Sequence, residues 1–176
     1  MTNSALGLSL QSIFSTRPML LLSQKERWSI LLDMNIIELT AENIGQYLDD
    51  CLELQGHLVK GVDSINAELI RATAADTHGY FIGIPSDDGK LIAIGLVSKV
   101  VDPVRVIGYV NNIVVHPDGR GQGLFRVIMD TLEAKAKEWG CTRMELTCSR
   151  DVVQGMYLKR GYTRKDTGFF YLKMES

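Results

Sequence analysis

Ile113-Val114-Val115-His116-Pro117-Asp118-Gly119-Arg120-Gly121-Gln122-Gly123-Leu124-Phe125 is the stretch on which the reading of this chain turns. Its first residues end a β-branched, apolar run from about residue 106, the composition of a central strand. Three glycines at alternate positions follow. Each removes a Cβ and lets backbone amides come close to a ligand. Beyond them Leu124, Val127, Ile128, Leu132, Ala136 and Trp139 recur at helical spacing until Gly140. A helix starting there aims its unsatisfied N–H groups and positive dipole end at the glycine loop. Strand, glycine loop and helix together suit a phosphate or pyrophosphate. The dinucleotide pattern G-x-G-x-x-G does not fit, because Leu124 or Arg126 stands where the third glycine belongs. The P-loop fails for want of Gly-Lys-Ser/Thr.

Working outward, a short strand is expected over 35–39. Thr40 then caps a helix, with Asn43 where a full capping box would have Glu. That helix carries Ile44, Tyr47, Leu48, Cys51 and Leu52 at helical spacing. A second helix is expected over 63–75 with Ile65, Leu69 and Ile70 inward. Strands at 80–84 and 91–101 flank the turn Ser86-Asp87-Asp88-Gly89, which has hairpin chemistry. Past the loop and its helix, 143–148 reads as a strand. Ser149 caps a short helix through Arg160, stopped by Gly161, and 169–174 closes the sheet. The order is β-α-α-β-β-β-α-β-α-β, an α/β fold with a mixed sheet and helices on both faces.

Residues 1–34 read differently. Ser and Thr punctuate short apolar clusters, and Pro18 interrupts any helix through them. They form an N-terminal extension, docked or partly disordered, ahead of a single domain over 35–176.

A net charge of −2 gives no field to attract nucleic acid or anionic membrane. No apolar run is long enough for a membrane helix, and no basic N-terminus or cleavage site marks a signal peptide. Cys51, Cys141 and Cys148 form no C-x-x-C pair and suit a reducing, cytoplasmic compartment. His57, His78 and His116 show no metal-ligand spacing, so no metal is expected. A homodimer is among the assemblies the sequence allows.

The loop resembles the acyl-CoA signature of the GNAT (GCN5-related N-acetyltransferase) family, Arg/Gln-x-x-Gly-x-Gly/Ala, here Arg120-Gly121-Gln122-Gly123-Leu124-Phe125. Upstream, Ile113-Val114-Val115-His116-Pro117 is similar to the family's fourth strand and its V-x-P exit. Downstream, Met156-Tyr157-Leu158-Lys159-Arg160-Gly161-Tyr162 is similar to its L-Y-x-K-x-G-F run. One position departs: Phe125 stands where the family has Gly or Ala, although its backbone N–H remains.

The resemblance implies transfer of an acetyl group from acetyl-CoA to a primary amine of a small molecule or peptide, by direct attack in a ternary complex. The fourth strand splays from its neighbour after a β-bulge, and pantetheine pairs with backbone groups of Ile113, Val114 and Val115. Arg120, Gly121, Gln122, Gly123, Leu124 and Phe125 cradle the pyrophosphate. Tyr157 matches the tyrosine that protonates the leaving thiolate; read without the motif, it is a helix tyrosine packing on the core. Where many members carry a carboxylate on the fourth strand, this chain has Asn111-Asn112. Asn112 can orient a water or the substrate but cannot take a proton. Glu145 is a weaker base candidate, and His116 reads as structural. A Cys148 nucleophile lacks a visible partner histidine.

Residues 108–115 loosely resemble glucosamine-6-phosphate acetyltransferases, which carry acidic residues where this chain has the Asn pair, so no acceptor is named. The competing function is a non-catalytic acyl-CoA-binding sensor or scaffold, favoured by Phe125 and the missing carboxylate.

Overall fold

The computed structural model describes residues 35–58, 65–172 and 174. The expected extension over 1–34 lies outside them. The chain forms two compact units, one ending at Glu145 and one beginning at Leu146.

In the first unit β1 (Ile37–Glu38) pairs antiparallel with β2 (Gly79–Pro85). The half capping box is realised from its far side: the Thr40 N–H donates to Asn43 Oδ1 at 2.8 Å. The helix expected after it divides into a 3₁₀ turn, Ile44–Gln46, and α1, Leu48–Leu58. Helix α2 (Ala67–Ala75) begins at Asn66, whose side chain accepts the Leu69 N–H at 2.7 Å. Its inward stripe is narrower than expected. Ile70 is buried and Ala74, four residues on, packs with the same core, while Leu69 is 59% exposed. Adjacent helical residues point about 100° apart, so the face that buries Ile70 turns Leu69 outward.

Strands β2, β3 (Leu91–Val101) and β4 (Val106–Val115) form an antiparallel meander, and β5 (Arg143–Glu145) adds in parallel to β4. The sheet order is β1-β2-β3-β4-β5. The β2–β3 turn behaves as its residues require: Gly89 takes a φ of 86°, and the Ser86 N–H donates to the Lys90 carbonyl. Between β4 and β5 runs α3, Leu124–Glu138.

The sheet buries both faces. Leu39, Ile44, Cys51, Leu54 and Ile70 pack with Phe81, Ile94 and Val114 on the α1/α2 side. On the other, α3 comes so close that a Cβ on Gly95 would lie 2.4 Å from Ile128 Cγ2, and one on Gly108 would lie 3.1 Å from the Cβ of Ala136. The expected mixed sheet with helices on both faces is therefore formed.

In the second unit α4 spans Asp151–Lys159. Its N-cap is Arg150 rather than Ser149, with no side-chain cap bond; the Val153 and Gln154 N–H groups donate to the Arg150 carbonyl. Gly161, at a φ of 92°, ends it as expected.

The strand expected over 169–174 is not formed. The described residues there lie in no strand, and Phe170 is 91% exposed. The aromatic run Phe169-Phe170-Tyr171 gives the segment β-propensity, but a strand also needs an edge to pair with, which local composition does not supply. The strand expected over 143–148 likewise falls short: β5 ends at Glu145 rather than at Cys148. Among the described residues no helix is long and apolar enough to cross a membrane.

Candidate functional site

The site begins at a fault in the β3–β4 ladder. Ile94 pairs with Val114 and Leu96 with Asn111, so Asn112 and Ile113 together face only Gly95. This is a β-bulge with its extra residue on β4. Asn112 has a φ of 49°, the sole positive φ outside glycine among the described residues. Asparagine tolerates that left-handed conformation better than almost any other side chain. Asn112 thus shapes the bulge through its backbone, whatever its exposed side chain does.

The opposite edge of β4 changes at nearly the same level. Ile107, Gly108 and Tyr109 pair with Arg143, Met144 and Glu145, and there the parallel ladder stops. From Val110 to Val115 no described strand pairs with β4 on that side. An edge of this kind offers a ladder to an extended ligand.

Beyond Val115 the chain enters the glycine loop. The His116 N–H donates to the Ile92 carbonyl at 2.9 Å, which fixes the start of the loop to β3. Residues Pro117–Gly119 make one 3₁₀ turn. Gln122 Nε2 braces the loop from within, donating to the Asp118 carbonyl at 3.0 Å. Gly121 and Gly123 adopt φ values of 78° and 85°, which is why both are glycine. A Cβ on Gly121 would touch nothing within 4 Å, so no protein packing demands its absence.

Gly123 is the N-cap of α3 and provides no side-chain cap. Among the described residues no side chain caps the backbone N–H groups of Gly121, Gln122, Gly123 and Leu124. Four such donors beside a positive helix end form an anion cradle. The exposed Arg120 stands at its rim, and Phe125 is half-buried in the first turn of α3.

The family model described as the acetyltransferase (GNAT) family matches residues 44–162, more than half of the chain. The chain belongs to the GNAT acetyltransferase family. It is similar to glucosamine 6-phosphate N-acetyltransferase 1 of rice, Oryza sativa subsp. japonica, at 28% identity over 102 residues, 56% of this chain and 61% of that protein. The match thus spans less than two thirds of the curated relative's length. The glucosamine-6-phosphate N-acetyltransferase of Arabidopsis thaliana has a similar structure, with a TM-score of 0.64 at 22% identity over 79% of this chain and 97% of that one. An aminoglycoside acetyltransferase from an uncultured soil metagenomic sample, solved with trehalose, has a TM-score of 0.69 at 11% identity, covering 81% and 97%. At these identities the two structures bear on the fold alone.

Ile113, Val114, Val115 and Arg120 to Phe125 thus form one continuous track in the first unit of this GNAT chain. Tyr157 lies in the second unit, on α4. Its ring meets Tyr162 edge-on at 5.6 Å between centroids. Burial, with a smaller contribution from the Cys148 thiol and opposed by Arg160, pushes its hydroxyl up to about 12, so the proton stays on at neutral pH. Cys148 Sγ lies 3.6 Å from the Arg150 carbonyl. Glu145 belongs to the last pair of the β4–β5 ladder.

Two features were missed from sequence. The αL role of Asn112 had only its residue type as a signal. The histidines read as scattered include a pair in contact, His57 and His116, with Glu53 beside them. The available signal was the four-residue spacing of Glu53 and His57 on α1.

Proposed function

We propose that the protein is an acetyl-CoA-dependent N-acetyltransferase, moving the acetyl group to a primary amine of a small molecule or peptide in a ternary complex. One observation carries this reading: an unpaired β4 edge, beginning beside a bulge, runs directly into a glycine loop that opens an uncapped helix start. That length of backbone suits a ligand with an amide-bearing arm at one end and a pyrophosphate at the other. Pantetheine would pair along Ile113, Val114 and Val115, and the pyrophosphate would rest on Arg120 to Phe125.

A β4 N–H would polarise the thioester carbonyl as the amine attacks. Tyr157, neutral at working pH, would donate to the departing sulfur. Water held near Asn111 and Asn112 would carry off the amine proton. The working compartment is the cytoplasm, where reduced thiols and acetyl-CoA coexist. The acceptor class follows the relatives only loosely: both amino sugars and aminoglycosides present primary amines on a polyhydroxylated ring.

Thiol release from acetyl-CoA, followed over amino sugars, aminoglycosides, polyamines and peptide N-termini, tests the reading. Turnover with at least one class is expected. If CoA raises the melting temperature while no amine is acetylated, the chain is a binding module.

A further inference from the structure

We propose that Glu53, His57 and His116 form a binding site for a zinc-class divalent cation, beside the acyl-CoA track. Glu53 and His57 are four residues apart on α1, so their side chains leave one face of the helix. His116 comes from the end of β4. One ligand atom from each residue lies within 4.8 Å of the others. His116 Nε2 stands 3.4 Å from Glu53 Oε1, and the two imidazoles meet edge to face at 5.0 Å. Donors around a tetrahedral zinc sit about 3.4 Å apart, so rotamer adjustment alone closes the set.

Three further observations point to a ligand. His57 Nε2 is buried and has no hydrogen-bond partner among the described residues, a state that a polar nitrogen rarely keeps. His116 is braced from behind: its Nδ1 accepts the Asp118 N–H at 3.3 Å, which holds the ring with Nε2 toward Glu53. Finally, both arms of the site hang on one strand end. Asp50 Oδ2 of α1 accepts the Leu91 N–H at 2.8 Å, and the His116 N–H donates to Ile92. The two backbone segments that carry the donors are therefore tied to the same strand end.

Two imidazoles and one carboxylate match a borderline cation such as Zn²⁺ better than Mg²⁺ or Ca²⁺, which prefer all-oxygen sets. The ion would tie α1 to the start of the glycine loop. The proposal does not depend on the acetyltransferase reading, since its test reads binding rather than turnover.

Full-length protein, stripped with a chelator, is titrated with Zn²⁺ by calorimetry, and with Co²⁺ by visible absorption. One Zn²⁺ per chain is expected, with a Co²⁺ spectrum showing nitrogen ligation. Glu53→Gln and His57→Gln should each weaken binding at least tenfold, and His78→Gln should leave it unchanged. Glu53 is 62% exposed at its side chain, so its variant keeps the fold, which circular dichroism verifies. Absence of saturable Zn²⁺ binding, or equal affinity in the parent and Glu53→Gln, overturns the site.

Discussion

Asn112 and Tyr157 are the residues at which identity and conformation can be separated by experiment. At Asn112 the backbone sets the requirement: a φ of 49° is open to Gly and Asn but strained for a β-branched side chain. Asn112→Gly should preserve stability and CoA affinity, and any loss of kcat then measures the amide alone. Asn112→Val should cost about 1–3 kcal/mol in urea unfolding. At Tyr157 the hydroxyl is held well above its ordinary range by burial. A raised pKa keeps the donor protonated further into alkali, so Tyr157 should impose no alkaline fall in kcat below about pH 10. Tyr157→Phe should lower kcat by roughly 10²–10⁴, with the KM for acetyl-CoA nearly constant. Full activity in that variant would remove Tyr157 from the chemistry.

Among the elements, the contact of α3 with β3 is the tightest point near the bulge. Gly95→Ala would drive a methyl to 2.4 Å from Ile128, which is fully buried, and should destabilise by about 1–3 kcal/mol in thermal or urea unfolding. Stability equal to the parent would mean that α3 can lift from the sheet there. This junction was legible in the sequence because apolar runs and glycines declare strand, loop and helix through local chemistry. The helix starts at 67 and 151 were less so, because Asn66 and Arg150 were not the caps that pattern favoured. The segment 169–174 was misread because propensity describes a strand and not its partner. The Glu53–His57–His116 cluster lay outside reach because only the packing of α1 beside the end of β4 joins residues so far apart in sequence.

For the whole molecule, folding and ligand binding are linked. A ligand that binds only the native chain stabilises it by about 2.7 kcal/mol at a hundred times its Kd. CoA should therefore raise the melting temperature of the parent in proportion to the logarithm of its concentration. Gly123→Asp should abolish that rise, because it places a Cβ and a negative charge in the anion cradle and forces an aspartate to a φ of 85°. The comparison is made on shifts, so any loss of basal stability in the variant does not obscure it. An equal shift in both proteins would show that CoA does not use the loop.

The change from antiparallel to parallel pairing at β4 also orders events in time. The turns 86–90 and 102–105 close β2, β3 and β4 over short spans of chain, whereas β5 can reach Ile107 only after α3 has spanned the sheet. Short loops cost less closure entropy, so the meander is expected to form first and the parallel rung late. Pulse-labelled hydrogen exchange during refolding should protect the amides shared by β2, β3 and β4 before those of β5; simultaneous protection would contradict this order. A chain emerging from the ribosome meets the same sequence of closures. The Ile107–Tyr109 edge of its bulged strand would stand bare until the last helix-linked strand arrives, an interval in which chaperones could engage it.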